Sequence, residues 1–296
     1  MKQTISVLGP STYSEESALW FLQNTGYELV PFKTITEVFE ATVSGRTAYG
    51  VIPVENTIEG SVSLHIDWLV HHVDLPIQVE WVFPISVHLM MLPEDSAVPV
   101  RERRERLSSI RKVLSHPVAL AQSRKYLVSE LPDAENEPVA STAEGARLVK
   151  ERGDPAVAAV GPASAAKHYG LDIVADDVQD HNNNYTRFTL VGQEPFPLER
   201  LQAGKRLGWK TTLLLMPGED LPGGLHQLLS AFAWRRLNLT KIESRPTKRA
   251  LGTYYFYVDV EVSIESVLLQ GAIEEVRAVG CHVRVMGSYP SYGYTK

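Results

Sequence analysis

The sequence predicts an α/β protein of mostly parallel sheet, followed by a smaller βαββαβ unit. Three observations lead there. First, a short apolar run, a turn of small residues and a helix start recur at residues 5–15, 49–62, 113–120 and 156–165. Strands that alternate with helices in this way build parallel sheets with helices on their faces. Second, from residue 209 the pattern restarts as strand, helix, two strands, helix and strand, the order of a ferredoxin-like unit. Third, residues 195–207 between the two parts read as a linker, and 296 residues leave room for both.

Composition narrows the function. Hydrophobic residues make up 44% and charged residues 22%, as in an ordinary globular protein. A net charge of -6 argues against a nucleic-acid binder, so an anionic ligand needs local positive potential. The single cysteine, Cys281, excludes an intrachain disulfide and points to a reducing compartment. It follows Gly280 at the start of an apolar strand, as a buried structural thiol does. No apolar run reaches membrane-spanning length, and the first residues pass into a strand pattern without a signal-peptide core. A cytoplasmic protein with no membrane partner is expected. His65, His71 and His72 fall on one predicted helix, but no cysteine or acidic motif completes a ligand set, so no metal site is expected.

Taken in order, residues 5–8 read as a buried strand, and the hydroxyl-rich turn Gly9-Pro10-Ser11-Thr12-Tyr13-Ser14 follows. Glu15 and Glu16 open a helix over 15–22, where acidic residues suit the positive end of the helix dipole. A second helix covers 36–43, and 49–53 form a strand. A helix over 61–72 puts Val62, Ile66, Leu69 and Val70 on its apolar side. Residues 76–92 read as extended chain. The run Arg101-Glu102-Arg103-Arg104-Glu105-Arg106 reads as a solvated mixed-charge insertion. Ser115 is placed to cap a helix that starts at Pro117 and continues to 128. Ser141-Thr142-Ala143-Glu144 has capping-box spacing. A buried strand over 156–160 turns through Gly161-Pro162-Ala163-Ser164 into a helix that ends near Gly170. In the last part, strands are expected at 211–216, 239–244 and 282–289 and helices at 225–236 and 264–279. A further strand there carries Tyr254, Phe256, Val258 and Val260 on one face.

The stretch Asn182-Asn183-Asn184-Tyr185-Thr186-Arg187-Phe188 is a polar loop that enters an apolar strand. Alternation along the strand aims Thr186 and Arg187 at opposite faces. Ligands of α/β sheets bind outside the carboxyl ends of the strands. Helix N-termini there offer free N–H groups and positive potential. Several such ends around one cleft suit a small polyanion without a basic surface. A ligand class follows from this, but no substrate.

The motifs Gly9-Pro10…Thr12-Tyr13-Ser14, Pro53-Val54-Glu55-Asn56-Thr57-Ile58-Glu59-Gly60-Ser61-Val62, Ser115-His116-Pro117…Gln122, Ser141-Thr142-Ala143, Tyr169-Gly170-Leu171 and Asn184-Tyr185-Thr186-Arg187-Phe188 together resemble prephenate dehydratase. Gly224-Leu225 and Asn238-Leu239-Thr240-Lys241-Ile242-Glu243-Ser244-Arg245-Pro246 resemble the C-terminal ACT regulatory domain of these enzymes. The resemblance covers nearly the whole chain, and the order and spacing of the motifs make it specific. The chain departs from it in three places. It lacks a Gly that members usually carry between Pro10 and Thr12, has Val118 where Gln is frequent, and doubles the glycine at Gly223-Gly224.

The resemblance implies a two-lobe catalytic part of the periplasmic-binding-protein type (type II) over 1–195. Lobe one would be about 1–78 and 176–195, and lobe two about 79–175, with crossings near 77–82 and 173–179. A linker over 196–208 and a ferredoxin-like ACT domain over 209–296 would follow. The implied reaction converts prephenate, a dianion, to phenylpyruvate, carbon dioxide and water in L-phenylalanine biosynthesis, with no cofactor or metal. Thr186 is implied as proton donor to the leaving hydroxyl, with Asn56, Thr57, Ser115, Gln122 and Thr142 lining the cleft. Arg187 is either a carboxylate clamp or the partner of a scaffold acid, and Phe188 is either core or an aromatic wall. Glu55 and Glu59 are expected to orient other groups. Gly223, Gly224, Leu225, Glu243, Ser244, Arg245 and Pro246 are implied as an L-phenylalanine effector site between paired modules, which requires a homodimer or homotetramer. The competing readings are an arogenate dehydratase and a non-catalytic sensor of the same fold. A sensor has no need of Thr186 and usually carries a DNA-binding helix-turn-helix, for which the sequence shows no segment.

Overall fold

The computed structural model describes residues 3–94, 103–218, 221–248 and 253–295. β1 (Thr4–Leu8), α1 (Tyr13–Phe21), β2 (Glu28–Phe32), α2 (Ile35–Val43) and β3 (Tyr49–Asn56) come first, and β1 pairs in parallel with β2 and β3. Thr34 and Glu37 close a capping box at the start of α2. The short β4 (Gly60–Ser61) folds back on β3, and α3 (Ser63–His71) leads into β5 (Ile77–Pro84).

The second lobe holds β6 (His88–Met91), α4 (Arg103–Ser109), β7 (Lys112–Ser115), α5 (Pro117–Gln122), α6 (Arg124–Glu130), β8 (Glu135–Pro138), α7 (Thr142–Arg152), β9 (Val157–Gly161), α8 (Ala163–Tyr169) and β10 (Asp172–Ala175). Its five strands are ordered β10-β6-β9-β7-β8. The extended run 76–92 is therefore two strands in two sheets. The first crossing lies at 85–87 rather than near 77–82, because β5 stays paired through Pro84, opposite Tyr185. The helix expected over 117–128 breaks at Ser123, whose φ of -111° and ψ of 13° are not helical. Of the mixed-charge run, residues 101 and 102 lie outside the described residues and the rest belongs to α4. There Arg106 is anchored rather than solvated: it pairs with Asp172 at 3.1 Å and donates to the Leu92 carbonyl at 3.0 Å.

β11 (Tyr185–Val191) returns to the first lobe and inserts antiparallel between β3 and β5. The second crossing thus occupies 176–184. The C-terminal part runs β12 (Lys205–Pro217), α9 (Gly224–Ala233), β13 (Leu239–Pro246), β14 (Tyr254–Val260), α10 (Val267–Ala278) and β15 (Cys281–Gly293), the expected βαββαβ order. The segment before it is packed rather than free. Phe196 and Ala203 are buried in the first lobe's core, and β12 begins at Lys205.

The C-terminal strands do not form a separate sheet. β15 pairs in parallel with β5 at Ser291↔Glu80 and Tyr292↔Trp81, so one ten-stranded sheet carries the order β13-β14-β12-β15-β5-β11-β3-β1-β2, with β4 off this path on β3. One face of its C-terminal half packs on α9 and α10 through Leu213, Val258 and Leu269. The other face packs on the first lobe, where Leu214, Tyr257, Met286 and Tyr289 share a core with Ile52, Ile66 and Leu69. β14 is therefore buried on both faces from Tyr257 onward, not on one. Cys281 is buried as expected, and burial pushes its thiol up to about 11. Among the described residues no helix is long and apolar enough to cross a membrane.

The junction with β5 is tight. A Cβ at Gly287 would lie 2.4 Å from the Ile77 carbonyl oxygen, closer than packed atoms approach. Gly287→Ala is expected to lower stability by about 3 kcal/mol through overpacking against rigid backbone. Urea unfolding checks this, and an unchanged midpoint would show that the strands separate at little cost.

Candidate active site

The two sheets enclose a cavity of about 320 Å³ between the lobes. β11 brings Thr186 to its wall, opposite Asn56 of β3 and Phe83 of β5. Thr186 Oγ1 accepts a hydrogen bond from Asn56 Nδ2 at 2.9 Å, and the same Nδ2 donates to Asn184 Oδ1 at 2.7 Å. Asn56 Oδ1 accepts the N–H groups of Ile58 at 2.8 Å and Glu59 at 3.1 Å, which fixes which way the amide points. Asn184 Nδ2 donates to Gln122 Oε1 at 3.2 Å, so the chain of amides crosses from β11 and β3 to α5 in the other lobe. Thr186 uses its oxygen as an acceptor in this bond, which leaves its O–H as a donor. Accepting one hydrogen bond strengthens the donation of the next.

Three helix N-termini meet the same cavity. Thr12 caps α1 by accepting the Glu15 N–H at 3.3 Å, and Ser141 caps α7 by accepting the Glu144 N–H at 3.0 Å. His116 Nδ1 caps α5 by accepting the Val118 N–H at 3.3 Å, with Pro117 in the first turn. Gly145 lets α7 lie close to β7, since a Cβ there would be 2.9 Å from the Leu114 carbonyl oxygen. Among the described lining residues there is no lysine or arginine, and Glu59 is the one carboxylate. With no side-chain cation among them, what these residues offer an anion is the first-turn backbone of three helices.

Asn56, Gln122, Thr142, Thr186 and Phe188 line the cavity, as expected. Phe188 is both core and wall: it is 1% exposed and stacks on Trp81 at 5.9 Å between ring centroids. Three expected residues do not line it. Ser115 does not cap α5. It is buried at the end of β7 and donates to the Val160 carbonyl at 2.6 Å, which ties β7 to β9. Thr57 is exposed and staples the polar loop, donating to the Asn183 carbonyl at 2.8 Å and accepting the Tyr185 N–H at 2.9 Å. Arg187 faces away from the cavity by strand alternation and pairs with Glu80 at 2.9 Å, Asp259 at 2.5 Å and Glu55 at 3.0 Å. Burial works against its charge, but Asp259 and Glu80 hold its pKa well above the usual value. The scaffold alternative is the one realised, and Glu55 orients Arg187.

Asn184, Tyr13, His116 and Ser141 also line the cavity; the sequence reading places them in its motifs but not among the expected site residues. Asn184 was within reach of it, since it stands two residues before Thr186 and period-two alternation puts both on one side. Tyr13 packs between the cores of both lobes, and burial pushes its phenol well up. His65 bonds to the Pro53 carbonyl at 2.8 Å, and His71 and His72 pack on Tyr255 and Trp68. Among the described residues no three His, Cys, Asp or Glu side chains are grouped to hold a metal.

In the C-terminal unit, β12 and β13 both run antiparallel to β14, and Leu215 and Ser244 both stand opposite Phe256. The loop after β12 and residues 244–246 therefore share one end of the sheet. Gly223 takes a left-handed φ of 82° at the start of α9, next to Leu225. Gly224 lines a hollow of about 360 Å³ with Leu221, Gln227 and Cys281. The stretch 243–246 does not present a single surface. Arg245 reaches Asp67 of α3 at 2.6 Å and Glu243 bonds to Ser61, while Ser244 and Pro246 are exposed on the other side.

A family model described as prephenate dehydratase matches residues 5–196. The prephenate dehydratase of Bacillus subtilis (strain 168) is 38% identical over 289 residues, covering 97% of this chain and 99% of that one. The prephenate dehydratase of Methanocaldococcus jannaschii is 34% identical over 293 residues, covering 98% and 99%. Among solved structures, a prephenate dehydratase from Arthrobacter aurescens in complex with L-Phe superposes with a TM-score of 0.82 at 30% identity, covering 97% of this chain and 89% of that one. The structure of GqqA, described as a quorum-quenching acylase, gives a TM-score of 0.82 at 27% identity and covers 98% of both chains.

The turn before α1 is strained. Ser11 has a φ of 67°, and its buried hydroxyl has no hydrogen-bond partner. A left-handed non-glycine residue costs about 1–2 kcal/mol. Ser11→Gly is expected to raise stability by about 1 kcal/mol, read from the urea midpoint, and a fall in that midpoint would refute the strain.

Proposed function

The chain belongs to the prephenate dehydratase family, and from that premise we propose how its cleft carries the reaction and how its C-terminal unit governs it. The enzyme is a carbon–oxygen lyase. Prephenate dianion and one proton give phenylpyruvate, carbon dioxide and water. The bond between ring and carboxylate breaks, its electron pair enters the ring, and the hydroxyl on the opposite ring carbon leaves with a proton. Aromatisation supplies the drive. The site must therefore favour the departing oxygen more in the transition state than in the bound substrate.

Thr186 is the proton donor in this reading. The observation that carries it is the hydrogen bond Thr186 accepts from Asn56, which leaves its O–H for the leaving oxygen. A threonine hydroxyl does not ionise at neutral pH, so it donates as the carbon–oxygen bond breaks and regains its proton from water. The helix ends at Thr12 and Ser141 offer N–H groups to the carboxylates, and Leu8, Val62, Ile85 and Phe188 form an apolar wall for the ring. Among the described residues no hydroxyl of the cavity is bonded to a histidine or carboxylate base, which favours proton donation over acyl transfer.

The C-terminal unit is read as an ACT domain that takes L-phenylalanine as feedback effector in a homo-oligomer. Support comes from the Arthrobacter aurescens relative in complex with L-Phe and from the shared sheet end of Gly223, Gly224, Leu225, Ser244 and Pro246. Glu243 enters that reading through its contact with Ser61 of β4, and Arg245 through its contact with Asp67 of α3. The catalytic part covers about 1–195, and the cytoplasm is the setting that suits this chemistry.

Phenylpyruvate formation from prephenate tests the assignment. Thr186→Ala is expected to lower kcat by about 10²–10⁴-fold, while Thr186→Ser stays within roughly tenfold of the parent. Full activity in the alanine variant excludes the donor role. L-phenylalanine is expected to lower activity and to change the sedimentation coefficient. A flat response in both measurements removes the effector site.

A further inference from the structure

The ion cluster around Arg187 lies outside the cavity, yet it joins β11, one residue from Thr186, to the C-terminal sheet. Arg187 is 7% exposed, and its partners Glu80 and Asp259 are fully buried. Each carboxylate has a second partner from the C-terminal unit. Glu80 takes Lys210 at 2.5 Å and Ser291 at 2.7 Å, Asp259 takes Thr212 at 2.7 Å, and Glu55 takes Lys241 at 3.2 Å. Lys241 also pairs with Glu243 at 3.4 Å, so three cations meet four anions across the junction. A buried guanidinium that loses a carboxylate is left uncompensated, so the cluster sets where Arg187 sits.

The strand beside it is paired without a break to β5 from Tyr185 to Leu190, but its ladder to β3 is irregular. The pairing of β11 with β3 shifts register between Arg187 and Phe188. A displacement of Arg187 therefore reorients the neighbouring Thr186 relative to Asn56. Glu55 and Glu80 belong to the same lobe as β11 and move with it. Asp259 is the carboxylate that the C-terminal unit contributes directly to Arg187.

We infer that Asp259 is a positioning residue for the reaction. Through Arg187 the seating of the C-terminal unit sets the placement of Thr186, and hence the chemical step rather than substrate binding. The inference rests on Thr186 as proton donor.

Asp259→Asn removes the charge and keeps the shape. Its kcat is expected to fall at least about tenfold, with KM for prephenate within about twofold of the parent. In a Thr186→Ala background the same substitution is expected to change kcat less than about twofold, since no hydroxyl is left to place. Thr212→Val, which removes the hydroxyl that holds Asp259, gives the same pattern at smaller size and serves if Asp259→Asn does not fold. An unchanged kcat in a folded variant, a rise in KM that accounts for the loss, or losses that multiply in the double variant overturn the inference. Full activity in Thr186→Ala is a different failure: it removes the donor reading and this inference with it.

Discussion

A guanidinium buried in a sheet must be neutralised where it stands, and Arg187 imposes that condition on its neighbours. It explains an acid in the middle of the buried strand β5, Glu80, and another in β14, Asp259, between Val258 and Val260. It also explains why the C-terminal strands continue the first lobe's sheet instead of hanging from a linker. The apolar contacts of Leu214, Tyr257 and Tyr289 with the first lobe supply area, and the ion cluster supplies register. Removing the C-terminal unit would strip Arg187 of Asp259 and expose a face of β5 that was never built for water.

The cavity depends on a second, softer constraint. Gln122, Asn184, Asn56 and Thr186 are joined in one run of hydrogen bonds that starts in one lobe and ends in the other. Asn56 and Asn184 each spend both ends of their amides, and donation runs outward from Asn56, to Thr186 on one side and through Asn184 to Gln122 on the other. Thr186 stands at its end, and its environment is complete when the lobes are together. Thr186 is thus fixed from two sides, by ions behind the strand and by amides in front of it.

Much of this was legible in the sequence, for local reasons. The strand–turn–helix repeat, the Ser141 cap and the βαββαβ order are written in short-range periodicity and capping chemistry. What was hidden was non-local or weakly patterned. β2 and β8 are short, bury no residue fully and carry Pro31 and Pro138, so neither shows a strand signal. The crossing at 85–87 separates two apolar runs of the same period, and only strand pairing tells them apart. Alternation told that Arg187 turns away from Thr186, but its acids lie 107 and 72 residues away in sequence, beyond any motif. Ser115 looked like a cap because its spacing to Pro117 fits one, and burial on β7 decided otherwise.

The absence of lysine and arginine from the described lining has a consequence for how the substrate arrives. A dianion that approaches a chain of net charge -6 meets repulsion at long range and attraction only at contact, where helix N–H groups act. Dissolved salt screens the first over about 8–10 Å and barely touches the second. Association with this enzyme therefore quickens as ionic strength rises, the reverse of a site that draws its anion in with surface cations.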